Sequence, residues 1–148
     1  MRTLLKGADI LLRKVDGYET LRGACLGIDG TKIDYIGTER PQTAYDLEKD
    51  MTGKLLAPGL INCHTHIYSG LARGLAIKGC NPTNFLEVLE GTWWSVDRKL
   101  TLPRTKASAD SLYLDCIKQG VTTIFDHHAA YGGIEGSLFQ IAESAKEF

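Results

Sequence analysis

The chain has 148 residues, 43% of them hydrophobic and 24% charged, the composition of a folded domain with an apolar core rather than of a disordered segment. Its 17 Lys and Arg against 18 Asp and Glu leave a net charge of −1, which gives no electrostatic case for nucleic acid or an anionic membrane surface. No apolar stretch approaches the ~20 residues of a membrane span, so the expected partner is a small molecule or another subunit.

In chain order, the first fifty residues predict short strands over Leu4 to Leu12, Leu21 to Ile28 and Lys32 to Ile36, separated by Asp16-Gly17 and Asp29-Gly30. Asp-Gly between apolar runs is a hairpin signal, so an antiparallel meander of three or four strands is expected, too small to be stable without partners. At Leu55 the alternation stops. Leu55 to Ile61 and the residues up to His66 predict a strand buried on both faces of a parallel sheet, ending in polar residues.

A connection with Gly70, Gly74 and Gly79 follows, then a helix capped by Thr83 or Asn84, with Glu87 in the capping-box position. Its apolar face would be Phe85, Leu89, Trp93, Val96 and Leu100, which assigns Trp93 to the core. A second helix is expected from about Thr105 to Gln119, with Ala109, Leu112, Cys116 and Ile117 inward and Gly120 as its stop. Val121 to Phe125 reads as a buried strand ending in Asp126, His127 and His128. A last helix would begin near Ser137, with Leu138, Ile141, Ala142 and Ala145 inward. Strand and helix alternate, the βαβ signature of a parallel sheet.

Cys25, Cys63, Cys80 and Cys116 form no C-x-x-C pair, and the N-terminus lacks the apolar core and cleavage site of a signal peptide. A reduced, cytoplasmic setting is the expectation.

All four histidines fall in two clusters, His64 with His66 and His127 with His128, each at the C-terminal end of a predicted parallel strand. Ligand sites of parallel α/β folds lie beyond those ends. Residues two apart on a strand point the same way, so His64 and His66 project together while Cys63 and Thr65 face the helix layer. Two adjacent imidazoles can supply two of the roughly three protein ligands of a catalytic zinc site. His127 and His128 are neighbours, so alternation sends only one towards the site, and which one stays open. Tyr68 and Arg73 follow the histidine pair in the glycine-rich loop and are further candidates for substrate contact. H-x-E with P-C-x-x-C, the cytidine-deaminase pattern, and H-E-x-x-H, the zinc-protease pattern, are both absent from this sequence.

The segment Pro58-Gly59-Leu60-Ile61-Asn62-Cys63-His64-Thr65-His66 resembles the first-barrel-strand signature of the amidohydrolase superfamily. Tyr68 to Gly74, Trp93 to Arg98 and Asp126 to Ala129 look like SsnA-type aminohydrolases, within the chlorohydrolase and nucleobase-deaminase branch. The resemblance implies an α/β chain: an N-terminal portion of a small composite β-sandwich, residues 1–54, followed by the first two βα units of an incomplete (β/α)₈ TIM-like barrel, residues 55–148. It implies His64 and His66 as metal ligands, a divalent cofactor that is Zn²⁺ with Fe²⁺ as the alternative, and His127, His128, Tyr68 and Arg73 as substrate-binding candidates. The expected activity is deamination of an amino-substituted heterocycle or cyclic amidine by metal-activated water, with cyclic-amide hydrolysis or dechlorination as alternatives. The family's later histidine ligands and its aspartate base have no counterpart among these residues, so no catalytic residue is assigned. A complete barrel takes about 250 residues. The chain is therefore expected to be an N-terminal fragment or truncated product, inactive by itself and so non-catalytic in isolation; a homo-oligomer stays open for the complete protein.

Overall fold

The computed structural model describes residues 1–148. They form two compact units, Met1–Pro58 and Gly59–Phe148.

The first unit is a five-stranded sheet. Strands β1 (Arg2–Lys14), β2 (Gly17–Asp29) and β3 (Lys32–Gly37) form the expected antiparallel meander. Lys14 pairs with Gly17 and Asp29 with Lys32, so each hairpin closes over two residues. Gly30 takes the left-handed conformation that the second turn demands, with φ of 59°. On the other edge, β1 pairs in parallel with two short strands, β4 (Leu47–Asp50) and β5 (Leu55–Leu56). Leu55 and Leu56 thus belong to this sheet and not to the strand that carries the histidines. The core on one sheet face is Ala8, Ile10, Ala24 and Leu26, with Leu5 packed against it, alternating positions of β1 with their cross-strand neighbours; Leu4 is buried on the other face.

The second unit is a βαβ arrangement. Strands β6 (Leu60–Thr65) and β7 (Val121–Asp126) pair in parallel, Leu60 opposite Val121 and Thr65 opposite Asp126. Burial of β6 on both faces is not what the structure shows, since Leu60 and Ile61 are 60% and 59% exposed and Cys63 is exposed rather than covered by a helix. Only β7 flanks β6, and the helices pack against the polar ends of the pair more than against its apolar start.

Between the strands run a 3₁₀ turn, Ile67–Ala72, then α1 (Phe85–Val88), a π-helical turn over Leu89–Trp93, α2 (Trp94–Lys99) and α3 (Leu102–Lys118). Asn84 caps α1 by accepting from the Glu87 amide at 3.1 Å, while the Glu87 carboxylate accepts from the Thr83 amide and hydroxyl. The two cap candidates therefore share the work.

After β7, a 3₁₀ turn at Tyr131–Gly133 leads into α4 (Ile134–Glu147). Gly136 breaks the first turn with φ of 86°, so regular helix starts at Ser137 as expected. Its buried face differs from expectation: Ser137, Ile141 and Ser144 are inward, whereas Leu138, Ala142 and Ala145 are exposed. The short hydroxyls find partners, Ser144 on Asp110 of α3 and Ser137 on His128, which lets the two helices approach closely. On α3, Ala109 and Cys116 are buried as expected, joined by Thr105 and Ser108, while Ile117 is exposed. Ile67, Tyr68, Ala109, Ala130 and Ile141 form the core of this unit directly beneath the histidines.

Candidate metal and substrate site

Strand alternation places the two imidazoles side by side, with His64 Nε2 and His66 Nε2 3.3 Å apart. The His66 ring is fixed by its other nitrogen, which lies 2.9 Å from the main-chain carbonyl of His127. A carbonyl only accepts, so Nδ1 carries the proton and the Nε2 lone pair faces His64. Two imidazole nitrogens each about 2.0–2.1 Å from one zinc at a tetrahedral angle would be separated by about 3.3–3.4 Å. The pair has the spacing and the tautomer for two zinc ligands, and the carbonyl that orients His66 is the kind of outer contact such ligands need. Elsewhere in the chain, no group of three or more His, Cys, Asp or Glu side chains is placed to hold a metal.

The strand ends are laced together by further bonds. His127 donates its amide to Thr65 carbonyl at 2.9 Å, and the Asp126 carboxylate accepts from the Ile67 amide at 2.8 Å. Asp126 thus closes the turn that follows His66. Nothing in the one-dimensional pattern marked it for that role beyond its place at a strand end.

A cavity of about 450 Å³ opens over the pair, lined by His64, His66, Tyr68, Trp93, Asp97 and His127 among others. His127 stands with its ring 5.2 Å from that of His66. Its neighbour His128 turns the other way, so alternation separates the two as anticipated: His128 Nε2 meets Ser137 Oγ at 2.8 Å, and its ring packs edge-on to Tyr68. Burial holds the His128 imidazole below its ordinary 6.5, against the opposing pull of Asp126, and its Nδ1 has no partner. The folded-state value lies below the unfolded one, so the stability His128 contributes is complete above about pH 6.5 and is lost as pH falls through the depressed folded value. Urea unfolding followed between about pH 7.5 and 4.5 should show a midpoint that drops with acidification, and His128→Gln should flatten that drop. An unchanged slope in the variant would assign the acid sensitivity to other groups.

Tyr68, expected in the glycine-rich loop, is 4% exposed within the 3₁₀ turn and lines the cavity. Burial, with the Asp97 carboxylate nearby, raises the phenol far above its usual range. Asp97 is a residue that sequence reading passed over. It is 4% exposed on α2, its Oδ1 has no hydrogen-bond partner, and burial pushes its carboxyl upward against the opposing influence of Tyr68 and His66. Its position four residues after Trp93 and three after Trp94 puts all three on neighbouring helical positions, a signal that could have found it. Trp93 is not core: it is partly exposed and lines the cavity with Trp94. Arg73 is elsewhere, its guanidinium paired with Asp115 of α3 at 2.6 Å on the surface. It is not among the residues lining the cavity.

No family model matches the chain. Among curated proteins it is 32% identical over 123 residues to the 5'-deoxyadenosine deaminase of Methanobrevibacter smithii, a match covering 83% of this chain and 27% of that one. It is 35% identical over 99 residues to the 5-methylthioadenosine/S-adenosylhomocysteine deaminase of Thermococcus onnurineus, covering 67% and 22% of the two chains. Among solved structures, the zinc complex of atrazine chlorohydrolase TrzN from Arthrobacter aurescens TC1 superposes with a TM-score of 0.80 at 25% identity, over 98% of this chain and 33% of that one. Guanine deaminase from C. acetobutylicum, with guanine in its active site, shares the fold at a TM-score of 0.81 and 16% identity, over 99% and 34%. The chain spans about a quarter of the length of the curated relatives it matches.

Proposed function

We propose that this chain, which matches deaminases over about a quarter of their length, belongs to the amidohydrolase superfamily and serves hydrolytic deamination of an amino-substituted heterocycle. The observation that carries the proposal is the histidine pair: two Nε2 atoms 3.3 Å apart, one ring held by a carbonyl, beneath an aromatic-walled cavity. His64 and His66 would hold a divalent metal, zinc by the chemistry of two neutral imidazoles and by the zinc complex of a structural relative, with Fe²⁺ as the alternative. When bound, such a metal supplies an activated water for attack on an electrophilic ring carbon.

This chain's own residues do the rest of what can be derived. Trp93 and Trp94 offer flat apolar walls for a planar ring. His127, at the cavity wall, is placed to hydrogen-bond that ring, and the free Oδ1 of buried Asp97 is an acceptor that a substrate donor would satisfy. Tyr68, buried beside Asp97, lines the same cavity. None of these residues is assigned proton transfer at the reacting carbon.

Dechlorination is the second reading, favoured by the chlorohydrolase among the fold relatives. The test is product analysis on the zinc-loaded assembly isolated from its native cell, which contains whatever further segments complete the site. Ammonia released from 5'-deoxyadenosine or 5-methylthioadenosine is the expected result. Chloride from atrazine without ammonia would favour the second reading, and neither product would overturn both.

A further inference from the structure

Beside the histidine cavity and sharing two of its walls, Trp94 and Tyr131, lies a second cleft of about 420 Å³ whose remaining lining residue is Arg98. We propose that Trp94, Arg98 and Tyr131 form an anion subsite that takes a carboxylate or phosphate carried by a substrate whose ring occupies the histidine cavity. The inference rests on the deaminase reading only for the position of that ring.

The cleft is built rather than incidental. Arg98 is exposed, with its guanidinium in no ion pair and no hydrogen bond, whereas Arg2, Arg22, Arg40 and Arg73 all meet carboxylates. An unpaired cation that lines a cleft with two aromatic side chains keeps its donors for an incoming group; guanidinium is the group whose forked donors match an oxyanion. Tyr131 reaches Arg98 because Gly132 permits it: a Cβ at Gly132 would lie 2.5 Å from the Arg98 carbonyl oxygen and 2.6 Å from that of Leu100. The turn after β7 and the end of α2 are therefore in backbone contact, which brings Arg98, Trp94 and Tyr131 to one cleft.

The two tryptophans of the chain both line the histidine cavity, so their fluorescence reports its occupation. Metal-free full chain is titrated with adenosine, adenosine 5'-monophosphate and adenosine-5'-carboxylate, in wild type, Arg98→Gln and Arg98→Lys. At least one anionic probe should bind about tenfold more tightly than adenosine, the size of one screened charge-assisted hydrogen bond, and the preference should fade with added salt. The tighter of the two anions identifies the natural group as phosphate or carboxylate. Arg98→Gln should abolish the preference while leaving adenosine binding unchanged, and Arg98→Lys should keep part of it. Circular dichroism of the variants checks the fold, which an exposed side chain is not expected to disturb. Equal binding of all three probes, no binding of any, or a preference that survives Arg98→Gln would overturn the subsite. Because no turnover is measured, absence of deamination would count against the hydrolytic reading and leave this result standing.

Discussion

His66→Ala releases the metal from the protein and abolishes turnover, while His127→Ala keeps the metal and loses turnover. His66 supplies a lone pair whose direction is set by its Nδ1 bond to the His127 carbonyl, so the substitution removes both a ligand and the contact that orients it. Loss of an orienting contact alone costs ~10–100-fold in metal affinity, and loss of the ligand itself costs more. His64→Ala should act alike, since its Nε2 is the other half of the pair. The His127 side chain makes no hydrogen bond to the pair; its main chain does, and alanine retains it. Metal content by elemental analysis beside turnover in the isolated assembly decides the matter. Full zinc occupancy in both His64→Ala and His66→Ala would show that the pair is structural.

Ile67→Ala produces a large loss of folding stability in the second unit, about 2–5 kcal/mol by the usual cost of truncating a buried aliphatic side chain. Ile67 is 0% exposed and packs in the cluster of Tyr68, Ala109, Ala130 and Ile141. Its amide also anchors on Asp126, so a cavity beneath it loosens the turn immediately after His66. Urea unfolding by circular dichroism should show a lower midpoint, and zinc affinity should fall with it although no ligand has changed. A midpoint within error of wild type would mean that this core contributes little to the unit's stability.

How far these features could be read in the sequence depends on whether the governing interaction is local. The hairpins were legible because Asp29-Gly30 sets its own turn, and the convergence of His64 and His66 because a period of two is a property of any strand. Strands β4 and β5 were not. They have four and two residues, too few for an alternation to show, and exist because distant β1 offers an edge. The assignment of Trp93 to the core assumed a constant 3.6-residue period from Phe85 to Leu100. The π turn over Leu89–Trp93 shifts that phase, which brings Trp93, Trp94 and Asp97 to the cavity together. On α4 an apolar count favoured Ala142 and Ala145, but Ser137 and Ser144 go inward because His128 and Asp110 satisfy their hydroxyls. That pairing is invisible until the partners meet. Arg73 was a reasonable candidate by its loop position, and Asp115, forty-two residues away, settles where it points.

The bond from His66 to residue 127 ends on a main-chain oxygen rather than on a side chain. Every amino acid carries that oxygen, so the side chain at 127 can be exchanged without turning the His66 ring. Chemistry and selectivity are thereby separable under mutation: a lineage can retune what the pocket accepts by altering residue 127 while the ligand pair keeps its aim. A saturation library at the three sites should find metal retained across substitutions at 127, at the expense of turnover of the original substrate, and metal lost at 64 and 66.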